Sequence, residues 1–269
     1  MSFLVSQVAV VELNGDVQES FNQALRLIGK IDDLNTVERS VVVKVGVFNH
    51  KGPRVNHPTV GVVGAIVNSF NKAPQIYLAE SDNYKGTGSE RLQIWKELFT
   101  ERVVPFNLSE DKDTREVEVA NEKIYFSHIL FKPNVLVSTH ALRRYDKGTI
   151  LKNLLGLIPD RKKARFHKKL AAALLDTYEA IGGIDLAVID ATHTYSGPAA
   201  IKSLNTNVLV IGRDAVAVET IGAVLVGLNP KKMPVIQEAI NRGLGEGDVA
   251  NIEVLGISIE SLEERFRQL

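Results

Sequence analysis

The 269-residue chain contains no cysteine, two methionines and one tryptophan, and its 32 Lys and Arg residues balance 32 Asp and Glu residues. Without cysteine, the protein can form no disulfide, use no thiol nucleophile and hold no cysteine-ligated iron–sulfur cluster. A net charge of zero gives no electrostatic basis for a dedicated nucleic-acid-binding or polybasic membrane protein. Its apolar runs fall far short of the roughly 20 residues of a membrane-spanning helix, and its first residues lack the pattern of a secretion signal. These absences predict a cytoplasmic protein with neither nucleic-acid nor membrane partners.

Apolar residues make up 45% of the chain, which is enough for a sizeable core. Short β-branched runs alternate with segments of helical period, and several runs are apolar on both faces, as is typical of buried parallel strands. This alternation predicts an α/β protein with a doubly wound, mostly parallel sheet. The predicted strands are residues 5–13, 41–45, 75–79, 135–138, 186–189, 208–211 and 252–255, and the predicted helices are 17–31, 59–71, 90–99, 165–180, 215–226 and 234–241.

One region breaks the alternation. Residues 114–119 and 123–126 form two strand-like runs around Asn121 and Glu122, which predicts a β-hairpin inserted at about residues 112–128. No linker, low-complexity tract or internal repeat interrupts the chain, so we predict a single α/β domain over residues 1–269.

Parallel strands place their carboxyl ends at one edge of a sheet, where ligands of α/β proteins bind. The topology therefore predicts a cleft at which the loops 44–58, 80–89, 138–152, 190–198 and 212–214 converge.

Residues 85–90 (KGTGSE) follow a predicted strand and open a predicted helix. Free N–H groups around Gly86 and Gly88 would suit an anion. Thr87 and Glu90 also have the spacing of a capping box, so a capped glycine turn is the more common explanation.

The segment 138–163 carries the densest cluster of polar and basic residues. Thr139 and His140 follow a predicted strand, and Lys152 and Asn153 lie in an apolar helix that begins near Thr149. A Lys in such a helix needs a partner or a route to water. We predict that these residues and the N–H groups of the helix N-terminus bind a small anion. The alternative is a solvated basic loop.

Two aspartates follow other predicted strands. Asp190 is a candidate general base or metal ligand, although a turn or cap is an equally common role. Asp214 is a candidate ligand-binding residue, but capping of the following helix is favoured. His140, Asp190 and His193 are the candidate ligands for a divalent metal, without the paired spacing that would support such a site.

The motifs of residues 41–256 resemble the family described as domain of unknown function 362. The resemblance rests on Lys44, His57-Pro58-Thr59, Ser138-Thr139-His140, the run GTILKNLLG at residues 148–156, residues 157–160, His167, Asp190 with Gly197-Pro198, residues 212–219 and residues 227–230. Together with the loop convergence, it adds Lys44 and His57 to the candidate ligand-binding residues.

The chain differs from this family at three points. Many relatives carry a ferredoxin-like four-cysteine insert, which a chain without cysteine lacks. Ser138 stands where the family has Lys, and Glu219 stands where it has Asp. The resemblance thus implies the fold and the site, without the redox cluster.

Two functional hypotheses follow. The first is an enzyme acting on a small carboxylate or phosphate ester, in which His140 moves protons, Lys152 neutralises charge and Asp190 lies close enough to share the ligand. The second is a non-catalytic ligand-binding or partner protein that works with a separate iron–sulfur protein. Because two-fold dimers are the commonest oligomers, we predict a homodimer in either case.

Overall fold

In the computed structural model, which describes residues 5–50, 56–197 and 202–269, the chain forms ten strands and eight α-helices. The strands are β1 (Ser6–Glu12), β2 (Val41–Val45), β3 (Ile76–Glu80), β4 (Val103–Asn107), β5 (Thr114–Val119), β6 (Glu122–Ser127), β7 (Val135–Arg144), β8 (Leu186–Ser196), β9 (Ser203–Gly212) and β10 (Ile252–Gly256). The helices are α1 (Val17–Leu27), α2 (Val60–Ser69), α3 (Gly88–Leu92), α4 (Ile150–Asn153), α5 (Leu170–Ala180), α6 (Ala215–Leu225), α7 (Pro234–Asn241) and α8 (Ile259–Phe266). Within these ranges no helix combines the length and apolarity needed to cross a membrane.

Eight strands form one sheet in the order β10-β1-β9-β8-β7-β2-β3-β4. Neighbouring strands run parallel except where β9 pairs with β1 and β8. Strand β2 is buried along its whole length, as expected for a β-branched run at the centre of a sheet. The predicted mostly parallel sheet is confirmed.

Helices cover both faces of this sheet. Val41 and Val43 pack with Phe21 of α1 and Ile66 of α2, and we call this side the α1 face. Successive side chains of a strand point to opposite faces, so Val42 joins the core beneath α5 and α6, which we call the α5 face. The predicted doubly wound architecture is therefore confirmed.

Strands β5 and β6 form a separate antiparallel hairpin over the predicted region. Its turn is Ala120-Asn121 rather than the predicted Asn121-Glu122, and both residues have positive φ, as a tight two-residue hairpin turn requires. The Ala120 N–H donates to Asp176 on α5 at 2.7 Å, and Phe126 packs into the α5-face core. The hairpin is thus anchored on α5 rather than on the main sheet.

Strands β7 and β8 extend well beyond their predicted ends. They continue to Arg144 and Ser196, so Thr139, His140 and Asp190 lie within strands rather than in the loops after them. The predicted loop at 190–198 is wrong for this reason, because β8 pairs with β9 as far as Tyr195. The polar composition of the β8 extension conceals a strand, whose partner β9 follows only a few residues later in the chain, where Tyr195 pairs with Ser203. Residues 51–55 and Pro198, parts of two predicted loops, lie outside the described residues.

The direction of β9 corrects a second expectation. Gly212, at the carboxyl end of β9, pairs with Ala187 near the start of β8. Because β9 is antiparallel, residues 212–214 lie at the opposite edge of the sheet from the carboxyl ends of β2, β3 and β7.

Candidate functional site

A cavity of about 750 Å³ lies at the carboxyl ends of β2, β3 and β7, between these strands, α4 and residues 161–167. Its volume is typical of a small-molecule site. Among the described residues, seven Lys or Arg side chains line it against one carboxylate, that of Glu80. The seven cations are Lys44, Arg91, Arg143, Lys152, Arg161, Lys162 and Lys163.

A buried ion pair forms the floor of the cavity. Lys44 Nζ lies 3.1 Å from Glu80 Oε2, 2.9 Å from Asn153 Oδ1 and 3.2 Å from Val45 O. An ammonium has three protons to donate, so Lys44 is saturated. Burial opposes ionisation of Glu80, but the charges of Lys44 and Arg91 hold the pKa of its carboxyl below the usual value. The floor is therefore an internally neutralised unit.

Asn153 locks this floor in place. Its Oδ1 accepts from Lys44, and its Nδ2 donates to Lys44 O, Ser138 Oγ and Thr139 O at 3.1–3.2 Å. The amide joins α4 to β2 and β7. Because the protein itself occupies its polar atoms, Asn153 acts at the site by holding Lys44.

Two cations of the cavity wall, Arg161 and Lys163, also bind protein acceptors. Lys163 Nζ donates to Ser81 Oγ at 2.6 Å and to Asp82 O at 2.5 Å. Arg161 forms an ion pair with the Asp82 carboxylate at 2.8 Å. Burial lowers the pKa of Lys163 to about 8. Both cations therefore have partners within the protein.

Lys152 differs from these cations, since its ammonium has no hydrogen-bond or ion-pair partner among the described residues. It lies on α4, is largely buried and lines the cavity. Burial, together with the charges of Arg143, Lys163 and Lys44, lowers its pKa to about 7. A Lys in an apolar helix needs a partner or a route to water, and the cavity provides Lys152 with that route.

Arg143 is the second cation with unused donors. The residue is 7% exposed, its Nε has no partner in the described structure, and its Nη2 donates to Gly148 O at a long distance of 3.5 Å. The guanidinium lies 5.4 Å from the centre of the Tyr145 ring, and burial lowers its pKa to about 10. It therefore remains charged at neutral pH, with N–H groups available to a ligand.

His140 presents a neutral imidazole to the cavity. Its Nδ1 lies 2.8 Å from Ala141 O, which makes Nδ1 the protonated nitrogen and leaves a lone pair on Nε2. Burial, aided by the charge of Arg143, holds the pKa of His140 well below its usual value. Gly46 allows this placement, since a Cβ there would lie 2.0 Å from His140 Cδ2. The ring is suited to accept a proton or hydrogen bond at Nε2.

The N-terminus of α4, which the sequence proposed as an anion site, is already occupied. The carboxylate of Glu219 on α6 accepts from the N–H groups of Thr149 and Leu151 at 2.8–2.9 Å. Gly148 has φ +97°, and a Cβ there would approach Glu219 to 3.1 Å. Burial raises the pKa of the Glu219 carboxyl. The prediction that these N–H groups bind an external anion is therefore wrong, because the protein supplies the anion.

Asp190 and His140 lie on opposite faces of the sheet. His140 pairs in register with Ile189, which belongs to the α5-face core, so the next residue, Asp190, faces α2. There its carboxylate accepts from the N–H and hydroxyl groups of Thr59 and Thr192 at 2.6–2.8 Å. Asp190 thus ties the start of α2 to β8, and the two side chains cannot share one ligand.

The model of the family described as Domain of unknown function (DUF362) matches residues 41–224, which include every cationic residue of the cavity. The chain belongs to this family. The comparison with curated proteins finds no match.

Within this DUF362 chain, the glycine-rich segment at residues 85–90 is a capped turn. Thr87 and Glu90 form the reciprocal capping box that the spacing predicted. The Gly88 N–H donates to Asp82 Oδ1 at 2.8 Å, so Asp82 is the anion of this turn. Gly86 and Gly88 do not line the cavity.

Three further candidate residues also lie away from the cavity. His57 Nδ1 contacts Pro58 O at 2.9 Å, and its ring packs against Trp95. Thr139 is buried, and its register partner Val188 places it on the α1 face. Asp214 accepts from the N–H groups at the start of α6, which confirms the favoured capping role.

The candidate metal ligands do not come together. His193 is exposed and lies 2.6 Å from Asn205 Oδ1, while His140 and Asp190 are separated by the sheet. Across residues 5–50, 56–197 and 202–269, no group of three or more His, Asp or Glu side chains is arranged to hold a metal ion.

The candidate site residues predicted from the sequence did not include Arg143, Glu80 or Lys163, although all three lie in segments predicted to reach the cleft or to bind an anion. A bulge between Ala141 and Arg143 in the β7–β8 pairing interrupts the regular alternation of side chains, so the side on which Arg143 points could not be taken from the sequence. Glu80 at the end of β3 was a detectable signal, since it is a carboxylate at the carboxyl edge of a parallel sheet.

Proposed function

We propose that this DUF362 protein binds a small anion, a carboxylate or a phosphate, between Arg143 and Lys152. The supporting observation is an imbalance of charge. Lys44, Arg91, Arg161 and Lys163 all have protein acceptors, and Lys162 is exposed to solvent. Arg143 and Lys152 are the largely buried cations left with free donors in the described part of the cavity. A buried charge without a partner is unfavourable, and an anionic ligand supplies that partner.

His140 could make this site catalytic, because its imidazole can transfer a proton. A neutral imidazole with an open Nε2 beside a bound anion can remove a proton from it or return one. In this proposal His140 acts as the proton carrier and Lys152 as the neutralising cation. Asp190 and His193 take no part, because they lie elsewhere.

One observation favours the non-catalytic alternative, a ligand-binding protein that works with a separate iron–sulfur protein. The enzyme hypothesis expected His140 and Asp190 to share a ligand, and the sheet separates them. A binding protein needs only the cations. Deuterium exchange into a bound carboxylic acid in D₂O would distinguish the two, since exchange that is lost in His140→Gln requires proton transfer.

The binding test is a titration of inorganic phosphate and of oxalate, followed by calorimetry. A charge-assisted hydrogen bond contributes about 1.5–3 kcal/mol, so Lys152→Met should weaken binding about ten- to a hundredfold. Methionine keeps the packing of the aliphatic stem, so the fold should be unchanged.

Lys147→Met is the matched control. Lys147 lies in the same segment but outside the cavity, its side chain is 42% exposed, and it pairs with Asp146. This variant should bind both anions as the wild type does. Equal affinities of wild type and Lys152→Met, or no binding of either anion by the wild type, would contradict the proposal.

Cytoplasmic location and a homodimer without nucleic-acid or membrane partners stay predictions from composition, and we include them in the proposal.

A further inference from the structure

Lys152 has features that anion binding alone does not require. A lysine that only neutralises an anion has no need of a neutral amine. Lys152 instead lies largely buried on α4, beside other cations and with no protein acceptor in the described structure.

We propose that Lys152 is a nucleophile that forms an imine with the carbonyl group of a small anionic substrate, an oxo acid or a phosphorylated aldehyde or ketone. This inference rests on the proposed function, because the anionic group is what positions the carbonyl.

Hydrogen bonding separates Lys152 from the other buried lysines of the cavity. The amines of Lys44 and Lys163 are engaged by Glu80 and Asn153 and by Ser81 and Asp82, respectively. Either would have to break these contacts before its nitrogen could attack a carbonyl. Lys152 has no such contact to lose.

The charges around Lys152 also favour a neutral amine. Burial and the positive charges of Arg143, Lys163 and Lys44 lower its pKa to about 7. Desolvation and neighbouring cations are the means by which imine-forming lysines are activated. The neutral, nucleophilic form of the amine is therefore populated at neutral pH.

Two neighbours supply the other roles. Arg143 lines the same cavity and its guanidinium has more donors than protein acceptors in the described structure, so it can hold the carboxylate or phosphate of the substrate. His140 also lines the cavity, with its Nε2 lone pair unoccupied, and can transfer protons.

The step balances without a further reactant. The Lys152 nitrogen attacks the carbonyl carbon, the C–N bond forms, and the C=O π electrons move to oxygen. His140 takes the proton released from nitrogen and returns it to the oxygen, giving a carbinolamine. A solvent proton carried by His140 then protonates the hydroxyl group, the nitrogen lone pair forms the C=N bond as the C–O bond breaks and water leaves, and the protonated imine returns the proton to His140 to give the imine.

The test is reductive trapping near neutral pH. The wild-type protein is incubated with glyoxylate in one arm and glyceraldehyde 3-phosphate in the other, reduced with borohydride and digested for mass spectrometry. The expected result is an adduct concentrated on Lys152 in at least one arm, and the better arm identifies the anionic group. Inorganic phosphate added beforehand should suppress it.

Two variants distinguish the proposed role of Lys152 as a nucleophile from its role as a cation that binds the anion. Lys152→Arg keeps the positive charge, so it should still bind inorganic phosphate but give no adduct at residue 152 and no other cavity adduct. His140→Gln should slow adduct formation about a hundredfold. The control Lys147→Arg should be trapped at Lys152 like the wild type.

The possible failures are distinguishable. If the wild type binds phosphate but its adducts are no more frequent on Lys152 than on exposed lysines, the imine inference is wrong and the binding proposal stands. If the wild type binds neither phosphate nor oxalate, the binding proposal is wrong and the inference falls with it. The wild-type result alone decides this, even where a variant fails to fold.

Discussion

Three lysines that line the cavity differ in what neutralises them. Lys44 pairs with Glu80, Lys163 donates to Ser81 and Asp82, and Lys152 has no acceptor in the described residues. Burial lowers the pKa of Lys163 to about 8 and that of Lys152 to about 7. These three lysines thus differ in chemistry, because they differ in the number of protein acceptors that bind their ammonium groups. Lys152 is the one whose charge a ligand can control.

Anion binding should be coupled to proton uptake. An anion beside Lys152 favours the ammonium form and raises its pKa, so the complex takes up a proton when the free amine was neutral. Between about pH 7 and about pH 9, affinity should fall as pH rises, by up to about tenfold per pH unit. Sulfate is the suitable probe because its own charge is constant in this range.

Calorimetry of sulfate binding in two buffers with different ionisation enthalpies measures this uptake directly. Lys152→Met should bind sulfate more weakly and without the proton uptake that Lys152 contributes. Lys147→Met should match the wild type in both affinity and proton uptake. Sulfate binding with no uptake at about pH 8 would show that Lys152 is not the linked group.

At the level of secondary structure, α4 depends on its tertiary contacts. It spans only Ile150–Asn153, and an isolated helix of that length is unstable in water. Glu219 binds its N-terminal N–H groups, and Asn153 at its other end is bound to β2 and β7. These two contacts hold Lys152 at the cavity.

Glu219→Ala should therefore destabilise the protein strongly. It leaves the buried N–H groups of Thr149 and Leu151 unsatisfied, each at a cost of about 1–3 kcal/mol. Asp16→Ala removes a comparable carboxylate from the exposed N-terminus of α1 and should cost only about 0.5–2 kcal/mol. Urea unfolding measures both, and similar losses for the two variants would contradict the role assigned to Glu219.

The sequence correctly predicted those strands and helices that are defined by the pattern of their own residues. Residues 41–45 and 234–241 match β2 and α7 at both ends, because a β-branched run and a proline-started amphipathic helix define their own limits. Strand β4 was missed because Pro105 lies within it, which an edge strand tolerates. The extensions of β7 and β8 depend on partner strands and have no comparable local signal.

The same distinction applies to the site. Lys152 was singled out by a local signal, since a cation in an apolar helix needs a partner or a route to water. The anion at the α4 N-terminus was misassigned because Glu219 follows about 70 residues later in the chain. Asp190 was placed at the cleft because the sequence does not show that β8 continues past it, with its side chain on the α1 face.

At the scale of the whole molecule, zero net charge conceals a local concentration of cations. The described cavity collects seven Lys and Arg side chains around the carboxylate of Glu80. Holding several of these charges together without a ligand opposes folding, and the lowered pKa values of Lys152 and Lys163 express that cost. An anion that fills the cavity relieves it, so ligand binding and global stability are linked.

The stability of the ligand-free protein should therefore rise with pH from about 6 to about 9. In the unfolded chain a lysine keeps its proton up to its ordinary pKa of 10.5, whereas folded Lys152 and Lys163 lose theirs at about 7 and about 8. Over this range the unfolded state binds more protons, so the free energy of unfolding increases with pH. The penalty is complete below about pH 7 and disappears towards pH 10.5. His140 acts in the same direction at the acid end, because burial lowers its pKa below the usual 6.5.

Urea unfolding at a series of pH values measures how the free energy of unfolding changes with pH. Two comparisons test whether Lys152 causes this change. Lys152→Met removes one of the two lysines and should flatten the curve between about pH 6 and about pH 8, while Lys147→Met should leave it unchanged. Saturating sulfate should stabilise the wild type most at low pH, where Lys152 is charged, and so flatten the curve as well. A wild-type stability that is constant or falls over this range would show that the cavity lysines keep their ordinary pKa values in the folded protein.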